Sequence, residues 1–466
     1  MNKEKLLFIP YTFTNGGGAE KALQLLVNNL SQEKYDITIQ EIENFNKYLE
    51  INDNIHLRHA FMNQKYPEKS FNELNYILLI YFPDLLKNLF FLQNYDAIIT
   101  FNYQLPSFML PAFKNIKKIA WFHGDIYDLQ AKNKIWEKHK QEKVWFDADK
   151  IITISNKSKQ SLIDVYPNLA DKCSIIHNGT DIKDIIEKSK ENAEIKFSPK
   201  NFAICIGRLD ENKNFILAIK AIAELKKEGI DFSLIIVGEG NQHDYLLQMV
   251  KTLEVEDNVF FTGFQTNPYK YLKNAKCLCV TSFSEGWGLV ITEAMALGIP
   301  FVTTPVAGAS EELSDGGKCG LVAGYDEKEY AAELKKLITD DKLYNEMSVN
   351  CIEHVKEYSA EKYVEKFENA LNEIETPVLE KEHNKKFQII PCFIYFIFYV
   401  LSIGEFIFRI QIICKRVKEK KIIKILKNII YLLGILITLP ITFVIKCLYF
   451  PVYIRKIIKK SGKKCR

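Results

Sequence analysis

The sequence predicts an α/β fold: two doubly wound, parallel-sheet domains in tandem, followed by a C-terminal helical extension of different character. Three observations carry that expectation. Short apolar runs of β type alternate with amphipathic helical runs to about residue 325, the pattern of strands joined by helical crossovers. The alternation breaks once, over residues 181–200, where the chain is polar and mixed in charge, and then restarts. The charge is also split. Residues 384–466 hold 18 Lys and Arg against 2 Asp and Glu, a local charge of +16, while the other 383 residues carry −12. With 47% hydrophobic and 26% charged side chains, a mainly disordered or collagen-like chain is excluded.

In chain order, Leu6–Ile9 reads as the first buried strand, followed by Gly16-Gly17-Gly18 and an amphipathic helix over Ala19–Leu30. Tyr95–Phe101, Lys117–Phe122 and Lys150–Ile154 read as further strands, the last followed by a helix over Lys157–Val165. Residues 1–180 thus form a first domain and 181–200 a linker. The second domain, 201–375, takes strands at Asn201–Ile206, Phe232–Val237, Val259–Phe261, Lys276–Thr281 and Pro300–Thr304. Helices are expected at Asn214–Lys227, Gln242–Leu253 and Gly288–Leu297, and helical stretches from Glu327 to about Ile374 close the domain. Ligands of open parallel sheets bind outside the carboxyl ends of the strands. Chemistry is therefore expected in the loops after strands, facing the cleft between the domains.

The ten cysteines follow no disulfide-framework spacing. Cys277 and Cys279 share one face of a strand and read as buried core thiols in a reducing compartment. The apolar stretch at the N-terminus is too short for a signal peptide, so the body is expected in the cytoplasm.

The most specific segment is SEGWGLVITEAMALGIPFVTT, residues 284–304. Glu285 stands in the loop after a strand and Glu293 two turns on, within the next helix. Gly286 and Gly288 allow the backbone close to a ligand. The amides of Trp287, Gly288 and Leu289 lie near the helix start, where N–H groups lack internal partners and can serve an anion or sugar hydroxyls. A carboxylate accepting from two neighbouring hydroxyls is a natural sugar clamp. Glu293 is flanked by Val290, Ile291, Ala294, Met295 and Leu297, so its carboxylate needs a partner. Arg208 and Lys213 follow the first strand of the second domain and suit a diphosphate, Arg as a fork and Lys as a point charge. As plain surface residues they would instead pair with Glu211. The loop Gly16–Gly18 is not a dinucleotide fingerprint, and it reads equally as a tight turn or as amides facing an anion or acceptor.

Glu285 and Glu293, in the context E-G-x-G-L…E-A-M-A-L-G-x-P, resemble the signature of family 4 retaining glycosyltransferases. Gly16–Glu20, His123 in WFHGD, Ala148–Ser155, Ile176–Asp181 and the turn Gly207-Arg208-Leu209…Lys213-Asn214 extend the resemblance over roughly residues 5–372. It implies the GT-B fold of two facing Rossmann-like domains. It also implies that Arg208 and Lys213 bind the donor diphosphate and stabilise the departing nucleoside diphosphate. Glu293 would hold ribose, and His123 would lie by the donor sugar's hydroxymethyl. Glu285, His123, Arg208 and Lys213 are thus the catalytic candidates. Arg208, Lys213, Gly286, Trp287, Gly288, Leu289 and Glu293 are the donor-binding ones, and Gly16, Gly17 and Gly18 form an acceptor or diphosphate loop. Asp147-Ala148-Asp149 looks like a metal-binding D-x-D but precedes its strand, so it reads as turn and capping chemistry. No metal and no cofactor are expected.

Residues 389–404 and 429–445 are apolar but at the short edge for spanning a bilayer, where roughly 20 residues are typical. They are separated and followed by strongly basic segments, and Pro391, Pro440 and Pro451 would kink them. Two spans would place the basic 414–427 segment outside, against the positive-inside tendency. Residues 384–466 are therefore expected to dip into or lie on an anionic membrane, monotopic or peripheral, at its cytoplasmic face. The expected reaction moves a hexose or N-acetylhexosamine from a nucleoside-diphosphate sugar, UDP by preference, to a lipid-linked or growing glycan, with no nucleic-acid partner. A nucleotide-sugar epimerase of the same fold, or a non-catalytic membrane-tethered nucleotide-sugar-binding scaffold, are the alternatives.

Overall fold

A computed structural model of the protein describes residues 3–14, 17–42, 50–59, 79, 83–91, 93–101, 104–124, 126, 144–192 and 201–375. Gly16 and the whole basic extension 384–466, with its apolar runs, lie outside the described residues. Among the described residues no helix is long and apolar enough to cross a membrane.

Two parallel sheets account for the strands. The first contains β1 (Glu4–Pro10), β2 (Tyr35–Glu41), β3 (His56–His59), β4 (Ala97–Phe101), β5 (Lys117–Phe122), β6 (Lys150–Thr153) and β7 (Cys173–Ile175), in the order β3-β2-β1-β4-β5-β6-β7. The second contains β8 (Phe202–Ile206), β9 (Ser233–Val237), β10 (Val259–Gly263), β11 (Cys277–Val280), β12 (Phe301–Thr303) and β13 (Gly320–Val322), in the order β10-β9-β8-β11-β12-β13. Central strands read as continuous apolar runs because both faces are covered. Leu6, Leu7, Phe8 and Ile9 of β1 are all fully buried, as are Leu234, Ile235 and Ile236 of β9. Strand order reverses between β1 and β4 and again between β8 and β11, which opens a crevice at each carboxyl edge.

Residues 181–200 are not simply a linker. Ile182–Ser189 is a helix whose start is capped by Asp181, its Oδ1 accepting from the Asp184 amide at 3.0 Å. Its buried face is only Ile185 and Ser189, too short a stripe to show as an apolar period.

The last helix, Ala360–Asn372, returns to the first domain rather than staying with the second. Its Phe367 ring stacks on Trp121 of β5 at 5.9 Å and meets Phe8 of β1 at 5.8 Å. Tyr363 packs edge-on against Trp121 at 5.7 Å, and Glu368 pairs with Lys34 at 3.0 Å. At the crossing itself, the Thr180 amide donates to Tyr358 O at 2.8 Å. A Cβ on Gly179 would fall 2.6 Å from the Tyr363 ring, so glycine is required by close approach there. Residues 1–379 form one compact unit through these contacts.

Phe367 is fully buried, so Phe367→Ala should cost about 3–5 kcal/mol. Urea unfolding should show the loss. A change below about 1 kcal/mol would mean that the helix is not held against the first sheet as described.

Candidate active site

The second-domain half of the site begins with glycines that let two turns touch backbone to backbone. A Cβ on Gly238 would lie 1.8 Å from Gly207 O, a clash with main chain that no rotamer can relieve. The Gly207 amide donates to Val237 O at 3.0 Å and the Leu209 amide to Glu239 O at 2.9 Å. Leu209 is buried, and its neighbour Arg208 is directed outward with a side chain 83% exposed. Arg208 Nε lies 3.5 Å from Asp210 Oδ2, and Asp210 Oδ1 accepts the Lys213 amide at 3.1 Å.

This turn is stitched to the loop after β11, its neighbour at the strand-order reversal. Thr281 Oγ1 donates to Lys213 O at 2.7 Å, the Phe283 amide to Asn212 O at 2.8 Å, and Asn212 Nδ2 to Ser284 O at 2.9 Å. The stitching brings Lys213 Nζ to 2.5 Å from Glu285 Oε1, to which Ser282 Oγ also donates at 2.6 Å. Lys213 therefore pairs with Glu285, and Arg208 with Asp210; neither is paired with Glu211.

Gly288, in the left-handed region at φ 87°, turns the chain into the helix Leu289–Ala296. Loops from the first sheet meet it here. A Cβ on Gly286 would sit 2.9 Å from Ile154 Cδ1 and 4.0 Å from the Gly124 nitrogen, and one on Gly18 would sit 3.5 Å from Leu289 Cδ1. The structure thus brings Gly18 beside Leu289 and Gly124, the residue after His123, near Gly286. Trp287 contributes no ring to it. That side chain is buried, stacked on His177 at 4.4 Å and edged by Tyr358 at 5.0 Å.

His123 follows β5, and Ser158 Oγ donates to the carbonyl of the next residue, Gly124. The histidine ring lies 4.5 Å from Phe101. The residue is half-buried as a whole, but Nε2 is fully shielded and has no hydrogen-bond partner among the described residues. Burial pushes its pKa down to about 3, so it is a neutral hydrogen-bonding group at working pH rather than a proton carrier.

Glu293 faces a cleft of about 380 Å³ between the helices Gly18–Asn29 and Leu289–Ala296, with Lys21, Gln24, Thr266 and Tyr269 among its walls. Tyr269 Oη donates to Glu293 Oε1 at 3.1 Å. Burial raises the Glu293 pKa, opposed by the Lys21 charge across the cleft. Asp147 and Asp149 lie elsewhere, at the amino end of β6. Asp147 pairs with Lys118 Nζ at 2.7 Å, and Asp149 accepts the Lys118 amide at 2.8 Å.

Three carboxylate and phenol positions were not singled out from sequence. Glu41 is fully buried and accepts the Phe13 and Thr14 amides at 2.8 and 3.0 Å, which fixes the loop after β1. Glu20 is buried; burial raises its pKa while the Arg208 charge from the other domain lowers it. Its signal was its place at the head of the stripe Glu20, Leu23, Val27. Tyr269 gave no signal.

Between about pH 3 and 6.5, His123 is neutral in the fold and cationic in the unfolded chain. The unfolded chain then binds more protons, so this residue's contribution makes stability rise with pH across that window and become complete above it. His123→Gln should flatten part of that rise in urea titrations. Curves of identical slope would show that the ring is solvated and titrates normally.

The chain matches two family models in succession: Glycosyltransferase Family 4 over residues 16–184 and Glycosyl transferases group 1 over residues 187–354. A Campylobacter jejuni N-acetylgalactosamine-N,N'-diacetylbacillosaminyl-diphospho-undecaprenol 4-alpha-N-acetylgalactosaminyltransferase is 34% identical over 197 residues, 42% of this chain and 52% of that protein. The chain spans about half the length of such curated relatives. Among solved structures, Anabaena Alr3699/HepE in complex with UDP superposes with a TM-score of 0.59 at 18% identity, covering 79% of this chain and 100% of that one. Thermosynechococcus elongatus sucrose-phosphate synthase does so at 0.65 and 16%, covering 80% and 99%. These two likenesses establish the GT-B fold. With two facing Rossmann-like domains each matched by its family model, the chain belongs to the family 4, group 1 glycosyltransferases.

Proposed function

We propose that the protein is a retaining glycosyltransferase that moves a hexose or N-acetylhexosamine from a UDP-sugar to a lipid-linked or growing glycan acceptor of the cell envelope. The observation that carries this is the contact of Lys213 with Glu285 at the strand-order reversal of the second sheet, in a loop whose Gly286 lies against Ile154 and Gly124 of the first domain. The named relative acts on a diphospho-undecaprenol-linked acceptor, and the Anabaena protein was solved with UDP.

In the proposed reaction, the diphosphate lies against Arg208, Lys213 and the first amides of the helix Leu289–Ala296. The bond from the anomeric carbon to the phosphate oxygen breaks, and these groups take up the charge that develops on that oxygen. The acceptor hydroxyl attacks from the face the diphosphate leaves, and its proton passes to the departing diphosphate. The configuration is therefore retained. Glu285 and neutral His123 orient the sugar through hydrogen bonds, and Glu293 accepts from ribose hydroxyls across the cleft it lines. The basic apolar residues 384–466 would keep the site at the cytoplasmic membrane face, near acceptors whose lipid cannot leave it.

Arg208→Ala and Lys213→Ala should each lower turnover more than tenfold, a loss above ~1.4 kcal/mol of transition-state stabilisation, with circular dichroism unchanged. Glu293→Gln should mainly weaken nucleotide binding and Glu285→Gln mainly slow transfer. Wild-type turnover in both cation variants would remove the diphosphate assignment; calorimetry with the two glutamate effects exchanged would swap their roles.

High salt should not release the full-length protein from membranes, because apolar burial is not screened. A chain ending near Glu375 should be soluble, bind nucleotide, and lose efficiency on lipid-linked acceptors far more than on short soluble ones. Equal loss on both acceptor types would separate the extension from acceptor delivery.

A further inference from the structure

Glu293 draws its hydrogen bond from a side chain that is itself held on several sides. Tyr269 opens the short helical turn Tyr269–Leu272, in which Tyr271 and Leu272 are buried in the core. Asn267 Oδ1 accepts the Tyr269 amide at 3.1 Å, while Asn267 Nδ2 donates to Lys188 O at 2.8 Å. The turn is thereby tied to the crossover helix Ile182–Ser189. The phenol is long and stiff, with its hydroxyl delivered to Oε1 at 3.1 Å from a fixed base. A carboxylate offers about four acceptor positions, so one taken by Tyr269 leaves room for two hydroxyls from the cleft.

We propose that Tyr269 is a positioning residue for the donor nucleotide: it holds the Glu293 carboxylate in the cleft-facing orientation that accepts from the ribose hydroxyls. The inference rests on the reading of Glu293 as the ribose clamp. Two further features fit it. Burial and the Glu293 charge push the Tyr269 hydroxyl well above its usual range, so it stays a donor at every working pH. Burial works against the charged form of Glu293, and the Lys21 charge and the Tyr269 hydrogen bond both favour it. Without the phenol, a half-buried carboxylate would turn toward Lys21 or take up a proton, and either change removes an acceptor from the ribose.

The test is calorimetry on the full-length protein in detergent with UDP and 2′-deoxy-UDP as probes. Wild type should prefer UDP. Tyr269→Phe keeps the ring and its packing, and it should weaken UDP binding about fivefold, the scale of one hydrogen bond to a charged group partly lost. Its binding of 2′-deoxy-UDP should change much less, so the preference shrinks. At saturating donor, kcat should stay near wild type, and KM for the donor should carry the effect. In a Glu293→Gln background, Tyr269→Phe should add little, because the two residues act as one unit. Full preference retained in Tyr269→Phe, or full additivity with Glu293→Gln, would reduce Tyr269 to a packing residue and overturn the inference. Equal binding of the two nucleotides by wild type would instead sink the ribose-clamp reading itself, and the inference with it.

Discussion

Thr180 joins the two halves of the protein at the point where the chain crosses between them twice. Its amide donates to Tyr358 O at 2.8 Å, on the return crossing, and its Oγ1 donates to Thr292 Oγ1 at 2.6 Å, on the helix that carries Glu293. Thr180 and Thr292 are both buried, so neither hydroxyl can substitute water for the other. The cleft exists because this hub sets the spacing of the helices Gly18–Asn29 and Leu289–Ala296. The last helix completes the arrangement by seating Phe367 on Trp121 and Phe8. A domain that depends on its partner's last helix for a core surface cannot drift far from it.

Within that frame the two cations of the candidate site are prepared differently. Lys213 and Glu285 have side chains only 22% and 14% exposed, and each supplies the other's counter-charge. An anion arriving beside Lys213 finds a site already polarised, and Glu285 keeps the Ser282 hydroxyl as a donor while its partner is shared. Arg208 is held less closely: its Nε lies 3.5 Å from Asp210 Oδ2, its charge acts on Glu20 of the first domain, and its side chain stays largely exposed. In the proposed diphosphate site, fixing it on a phosphate would give up about 2 kcal/mol of rotamer freedom, recovered through a forked contact that a lysine could not make.

The fold was legible where strands are central. Lys117–Phe122 was read to the residue, and β1, β4, β8, β9 and β11 within one or two at each end, because buried parallel strands announce themselves as unbroken apolar runs. Three of the four edge strands, β3, β7 and β13, were not read, whereas the fourth, β10, was legible as Val259–Phe261. His56–His59 and Gly320–Val322 have four and three residues, and β2 hides Thr38, Gln40 and Glu41 among buried positions. At the candidate site, the glycines, Arg208, Lys213, Glu285 and Glu293 stood out because their residue types suit sugars and phosphates at loop positions. The contact between Lys213 and Glu285 joins residues 72 apart, and only the β8–β11 adjacency creates it. Tyr269 was silent for the same reason: a tyrosine in a short polar turn has no periodicity, and its meaning lies in what stands opposite.

The loop that carries Glu285 is pinned from three directions, which limits how the cleft can open. Its Phe283 amide is bonded to the turn after β8, and the Trp287 ring lies on His177 of the first crossing. Gly308 provides the room, since a Cβ there would fall 2.8 Å from Trp287 Cε3. Glu312, five residues after Ala307, reaches back to accept the Asn156 amide of the first domain at 2.6 Å. On the same loop Gly286 lies against Ile154 and Gly124 of the first domain, next to the Trp287 ring stacked at the crossing. Glu285 and Lys213 are held to each other and, through the Phe283 amide and Asn212 O, to the turn after β8, so the pair belongs to one rigidly stitched corner of the second domain.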